Sequence, residues 1–335
     1  MPQIICLGEL LIDMVSMKAN VTLAEAPGFV RAPGGAPANV AVGIARLGGS
    51  SGFIGCVGDD HFGVFLRDCL QKENVEISHL HYTSDARTTL AFIAVRSDQA
   101  KEIVFYRHPG ADMMLSPDTI DHHYFKHARC FHFGSISMKD EPSRTATLKA
   151  LRIARDCGLM ISYDPNYRPD IWDSATTAQE RIQSVFDKVD IIKISEEEWN
   201  FVTGTHDFTA GAEMFFSKGV KLVLVSRGEN GSWFSCAGHE GHVPAFRVRV
   251  IETTGAGDAF MAALLLKLQK IVTAPEDLRS IEPGTLASFV RWANAAGALA
   301  CTKPGAIPAL PYADEVERFL AATVNEDSHC HEKYP

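Results

Sequence analysis

The sequence predicts an α/β fold of three layers, a mainly parallel central sheet between helices, with a small separate β-sheet beside it. Three observations carry that prediction. Short apolar runs recur along the chain, each followed by Gly, Ser or Asp. Stretches with helical spacing separate them, which is the alternation that builds a parallel sheet covered on both faces. One region, residues 87–112, breaks the alternation and reads as two strands in succession.

The elements follow in chain order. "QIICLG" (3–8) is a buried strand by its continuous apolar character. "APANVAVGIARLGG" (36–49) is a helix, "FIGCVG" (53–58) a strand and "FGVFLRDCLQKE" (62–73) a helix. "CFHFGS" (130–135) is a strand, and "EPSRTATLKALRIARDCG" (141–158) is a helix stopped by Gly158. "LMISYDP" (159–165), "DIIKIS" (190–195) and "KLVLVSRG" (221–228) are further strands. In residues 87–112 a polar turn at Ser97–Lys101 joins two strands, and no helix is expected until about Pro117. With residues 13–33 this hairpin forms the small sheet, whose exposed face suits a lid or a contact between subunits. The organisation expected is one domain over residues 1–320, with lid strands from 13–33 and 87–112 inserted, and a polar, disordered tail over 321–335.

Composition removes several function classes. A net charge of −9 argues against a nucleic-acid surface but leaves small anionic substrates open. The apolar stretch Phe260–Leu266 meets Lys267, far short of the roughly 20 residues of a membrane span. The start "MPQIICLGELL" has no basic n-region, so no signal peptide is expected. The cysteines at 6, 56, 69, 130, 157, 236, 301 and 330 show no CxxC pair, which reads as a reduced, cytoplasmic protein without structural zinc. His122, His123 and His127, and the pair His329 and His331, lack a supporting acid or Cys in a rigid frame and are not read as metal ligands.

In an open parallel sheet, ligands bind beyond the carboxyl ends of the strands. Four segments lie there or at helix starts. In "IETTGAGDAFMAALL" (251–265) Gly255 and Gly257 leave backbone N–H groups uncovered, and the apolar spacing starts a helix near Gly257. Such a turn makes an anion hole. Asp258 in the first turn either stabilises the helix dipole or takes a hydroxyl proton as a base. In "APGGAPANVAVGIARLGG" (32–49), Gly34 and Gly35 allow close backbone approach, and Asn39 offers a donor and an acceptor to a polyol or is simply solvated. In "YDPNYRPDIW" (163–172) two prolines stiffen the backbone around Asn166 and Arg168, a loop suited to oxygen-rich groups. In "KISEEEWNFVTG" (193–204) Ser195 caps a helix whose first turn holds Glu196, Glu197 and Glu198. Capping alone explains those acids; the functional reading has Glu198 order a magnesium-bound water.

Together these segments resemble the ribokinase-type, or PfkB, family of ATP-dependent carbohydrate kinases, from Ile4 to about Leu310. "PGGAPANVAVGIARLGG" with "FIGCVGDDHFG" is similar to the family's early signature, and "TTGAGDAFMAALL" to its late one. "GELLIDMV", "FYRHPGADMML", "HFGSIS", "SYDPNYRPDIW" and "TKPGAIPALP" are most similar to fructokinases. The resemblance implies a ribokinase-like fold, with ATP and Mg²⁺ and in many members K⁺. It implies Asp258 as base and Gly255, Ala256 and Gly257 as anion hole. Asp13, Gly34, Gly35, Asn39, Arg107, Asn166 and Arg168 would bind the sugar or the transferring phosphate. Lys193, Ser195, Ser226, Gly228, Gly231, Asn294 and Gly305 would serve ATP. Glu252, Thr254, Ala300, Lys303, Gly305 and Ala309 stand where the family holds a monovalent cation.

Two departures stand out: Glu252 replaces the usual Asp, and Ser195 the usual Asn. Fructose phosphorylated at O6 is the first reading of the acceptor. 2-Keto-3-deoxygluconate, whose carboxylate Arg107 and Arg168 would grip, and aminoimidazole riboside are the alternatives. A homodimer through the lid is expected. Outside enzymes, a sugar-binding regulator would have dropped Asp258 or a hole glycine. A nicotinamide oxidoreductase would need a GxGxxG turn after the first strand, and "CLGELLID" has none.

Overall fold

A computed structural model describes residues 1–96 and 101–330, with side chains described as far as Thr323. The polar turn expected at Ser97–Lys101 therefore lies mostly outside the described residues. The strands are β1 (Ile4–Leu7), β2 (Leu11–Ser16), β3 (Phe29–Gly34), β4 (Ser51–Gly58), β5 (Leu80–Thr83), β6 (Leu90–Val95) and β7 (Lys101–Tyr106). They continue with β8 (Cys130–Gly134), β9 (Met160–Asp164), β10 (Ile191–Ser195), β11 (Leu222–Ser226), β12 (Ser232–Cys236) and β13 (His239–Val243). Nine strands form the central sheet in the order β13-β12-β11-β10-β9-β8-β1-β4-β5. It is parallel except at β12 and β13.

The sheet has a core on each face, and β1 shows why its sequence is unbroken apolar. Ile4 and Cys6 join one core while Ile5 and Leu7 join the other, all fully buried. A strand buried on both faces needs no polar alternation. The helices are α1 (Ala36–Arg46), α2 (His61–Lys72), α3 (His122–Phe125), α4 (Ser143–Asp156), α5 (Ala175–Gln183), α6 (Glu196–Thr203), α7 (Phe208–Ser217), α8 (Ala256–Ile271), α9 (Pro283–Ala300) and α10 (Ala313–Cys330). In α8 every residue from Asp258 to Leu266 is buried, so it is a core helix rather than an amphipathic one. It lies between α1 and α9. A Cβ at Gly43 would meet the Ala262 Cβ at 2.7 Å, so α1 and α8 approach closely only because residue 43 has none. That contact, one turn beyond Asn39, brings the start of α1 to the start of α8.

The second sheet has four strands in the order β3-β2-β6-β7. The expected hairpin over 87–112 is β6 and β7, and its partners come from residues 13–33 as expected. The segment before Pro117 is not free of helix, because Ala111–Met114 forms a 3₁₀ turn. Over part of the expected tail the backbone is helical, α10 being described as far as Cys330. Residues 314–330 contain neither Gly nor Pro and include Ala321 and Ala322, so nothing local stops the helix. Residues 331–335 lie outside the described residues. Among the described residues no helix is long and apolar enough to cross a membrane.

Candidate active site

The helix expected near Gly257 starts one residue earlier, at Ala256, with Gly255 as its cap in the left-handed region at φ 81°. This places Asp258 third in the helix, beside the free N–H groups of the first turn. Asp258 is 8% exposed, and Asn39 Nδ2 donates to its Oδ2 at 2.8 Å. Burial pushes its carboxyl up to about 6, and Asp164 adds to the rise. The Asn39 hydrogen bond, Lys193 and Arg168 oppose it. A carboxylate so held is ionised at neutral pH yet close enough to its titration to accept a proton, as a general base requires. Asn39 Oδ1 is buried and has no partner among the described residues, so the amide has one acceptor left for a ligand hydroxyl.

Asp13, on β2, approaches the same place from the small sheet. Burial and the charge of Glu252 raise its carboxyl to about 7, against Lys101 and Arg168. A Cβ on Gly34 would sit 2.3 Å from Asp13 Oδ2, so the carboxylate occupies the space that glycine leaves. Gly35 caps α1 at φ 109°, and Glu9 accepts the Ala36 N–H at 2.9 Å where the chain re-enters the central body. Arg168 is exposed and its Nη1 donates to the Tyr167 carbonyl. Asn166 adopts φ 46°, and its N–H donates to Asp164 Oδ1 at 3.2 Å.

Beneath the turn lies a buried ion pair. Lys193 Nζ donates to Asp164 Oδ2 at 3.0 Å, each side chain 6% exposed. A Cβ on Gly257 would stand 3.0 Å from Lys193 Nζ, which puts the ammonium directly under the anion hole. Ser195 and Glu198 form a reciprocal capping box at the start of α6. Ser195 Oγ donates to Glu198 Oε2 at 2.7 Å, and the Tyr167 N–H donates to Oε1. The cap reading of Glu198 is therefore realised, and the same acid pins the 163–172 loop.

Some expected ligands are committed elsewhere. Arg107 is buried and pairs with Asp112 at 2.8 Å and Asp140 at 3.2 Å, which neutralises its charge within the protein. Asn294 accepts from Ser232 Oγ and donates to the carbonyls of Val243 and Pro244, tying α9 to the sheet edge. The Lys303 amine pairs with Glu315 at 2.7 Å, so only its carbonyl is available. Gly228 and Gly231 hold φ 53° and 83° in the turn after Ser226, and Gly305 holds φ 83°. Such open backbone fits a nucleotide lying against it. Glu252 accepts from Thr254 Oγ1 and, at 2.8 Å, from the Gly305 N–H. Both its oxygens thus have protein donors, and a cation there would rest on the backbone carbonyls around Thr254, Ala300, Lys303 and Ala309. Among the described residues no cluster of three or more His, Cys, Asp or Glu could hold a metal.

A family model, that of the pfkB family carbohydrate kinases, matches residues 1–313. The chain is 44% identical over 323 residues to probable fructokinase-7 of Arabidopsis thaliana, covering 96% of this chain and 93% of that one. It belongs to the pfkB carbohydrate kinases. Among solved structures, a Xylella fastidiosa fructokinase with bound ATP matches with a TM-score of 0.87 at 32% identity, covering 97% of this chain and 100% of that one. A Vibrio cholerae O395 fructokinase with fructose, ADP and calcium ion bound matches with a TM-score of 0.84 at 34% identity, covering 96% and 99%. The fold is ribokinase-like, and the pfkB kinase is a phosphotransferase acting on a sugar hydroxyl.

The structure also gives partners to residues that the sequence offered singly. Asp164 and Lys193 were legible in part: a lone lysine inside "DIIKIS" needs a buried partner, and an acid ends the preceding strand. Lys101 opens β7 of the small sheet, and only the fold brings it to Thr254, at 2.9 Å.

Proposed function

We propose that this pfkB kinase is a fructokinase, moving the γ-phosphoryl group of ATP to the O6 hydroxyl of D-fructose. The observation that carries the proposal is Asp258: a buried acid, raised to about 6, in the first turn of α8 beside the uncovered N–H groups of the Gly255–Gly257 turn. An alcohol lying between that carboxylate and a phosphorus held at the turn is in line for attack. Asp13 and the free Oδ1 of Asn39 accept sugar hydroxyls and aim the primary alcohol at Asp258. The backbone amides of Ala256 and Gly257, with Lys193 below them, stabilise the charge that grows on the phosphoryl oxygens. Mg²⁺ bound with ATP supplies further neutralisation of phosphate charge. Asp258 takes the proton as the new O–P bond forms and the bond to the ADP oxygen breaks. Ser226, Gly228, Gly231 and Gly305 offer the nucleotide its backbone surface.

We read the body over residues 1–320 as one domain and the small sheet as its lid, which excludes water that would otherwise accept the phosphoryl group. Val30, Val104 and Tyr106 of that sheet are 57%, 48% and 64% exposed, which favours a homodimer through the lid. Cys6, Cys56, Cys130 and Cys236 are free and buried, in keeping with a reducing, cytoplasmic setting. The 2-keto-3-deoxygluconate reading loses support because Arg107 is already neutralised by two acids. The test is ADP release over fructose, 2-keto-3-deoxygluconate, ribose and aminoimidazole riboside, with and without K⁺. Fructose should give the highest kcat/KM; a tenfold preference for any of the others would replace it as the acceptor.

A further inference from the structure

We infer that Lys101 is a positioning residue that couples the lid to the anion hole through Thr254 and Glu252. The inference rests on the kinase reading above and deepens it. Lys101 opens β7, the outer strand of the small sheet, and its Nζ donates to Thr254 Oγ1 at 2.9 Å across 153 residues of sequence. Thr254 Oγ1 donates in turn to Glu252 Oε1, and Glu252 Oε2 accepts the Gly305 N–H at 2.8 Å. The result is one hydrogen-bonded chain from the lid, through the residue immediately before Gly255, to the loop at 305. Because the Thr254 hydroxyl has one proton to give, accepting from Lys101 directs that proton to Glu252, and each bond fixes the next.

The surroundings point the same way. Lys101 and Arg168 are the cations, and Asp13, Glu252 and Asp258 the anions, whose charges meet here. Asp13 rides on the lid with Lys101, on β2 rather than β7. The lid therefore brings a proposed sugar ligand and the latch to the body in one movement. Gly255 follows Thr254 directly and caps α8, so a displacement of Thr254 tilts the amides that receive the phosphoryl group. A residue that acts this way changes turnover and the choice between sugar and water as acceptor, more than it changes nucleotide affinity.

The test is a double-mutant cycle on the full chain with Lys101→Met and Thr254→Val, measured with ATP and fructose. Lys101→Met should lower kcat by roughly 10- to 100-fold, with KM for ATP within about twofold. It should also raise the share of ADP released without sugar phosphate. Thr254→Val should do the same, and the double variant should be no worse than the poorer single variant. Lys101→Arg, which keeps a donor, should retain most of the turnover. Losses that multiply, or a Lys101→Met enzyme within twofold of the parent, would overturn the inference. Amide hydrogen exchange reads the latch without catalysis: Lys101→Met should speed exchange across residues 254–257, and unchanged exchange there would refute it. If the parent protein makes no sugar phosphate with any sugar, the kinase reading fails, and the exchange result still decides the latch.

Discussion

Replacing Asp258 by Asn should move activity and stability in opposite directions. The side chain keeps its shape, and its Oδ1 can still accept from Asn39 Nδ2. What is lost is the charge and the ability to take a proton, so turnover with fructose should fall by about 10²–10⁴ or more. The stability gain follows from the titration. In the folded chain the carboxyl rises from 3.8 to about 6, which corresponds to about 3 kcal/mol in favour of the neutral form. A group whose folded value is raised costs no stability below its unfolded value, near 4, and its full cost is present above about 6. A permanently neutral side chain recovers that cost, so the variant should be more stable by up to about 3 kcal/mol at pH 8, or about 4 °C in Tm. At pH 4 the two proteins should melt together. The assays are coupled ADP release and thermal melts at both pH values. A variant that keeps parental turnover, or that melts lower at pH 8, would refute the reasoning.

Other expectations follow from the same geometry. Asp13, raised to about 7, should make KM for fructose rise as pH falls through 7, because only the ionised form accepts two sugar hydroxyls; Asp13→Asn should remove that limb of the pH profile. Gly34→Ala would place a Cβ 2.3 Å from Asp13 Oδ2 and should raise KM for the sugar by about tenfold or more, read by steady-state kinetics. Lys193→Met leaves Asp164 buried without its partner and should cost about 3–5 kcal/mol by denaturant melts, with partial recovery when Asp164→Asn is added.

The fold was legible because its strands are buried on both faces. "QIICLG", "CFHFGS" and "KLVLVSRG" carry continuous apolar character that no amphipathic element would need. The small sheet was legible from the opposite signal, two strands with no helix between them. The proposed base and anion hole were legible because they share one local segment at a helix start. Pairings across the fold were not. Asn39 meets Asp258 over 219 residues, and Lys193 meets Asp164 over 29, through packing that no local pattern encodes. Arg107 and Asn294 show the same limit. Their residue types suit ligands, and the protein partners they also have come from packing across the fold.

The most direct measurement is the identity of the product. Incubated with ATP and D-fructose, the parent protein should yield one new phosphate resonance coupled to the two C6 protons, matched by an equal amount of ADP, while Asp258→Asn yields none. A phosphate on another oxygen, or the same product formed at the same rate without the Asp258 carboxylate, would contradict the account.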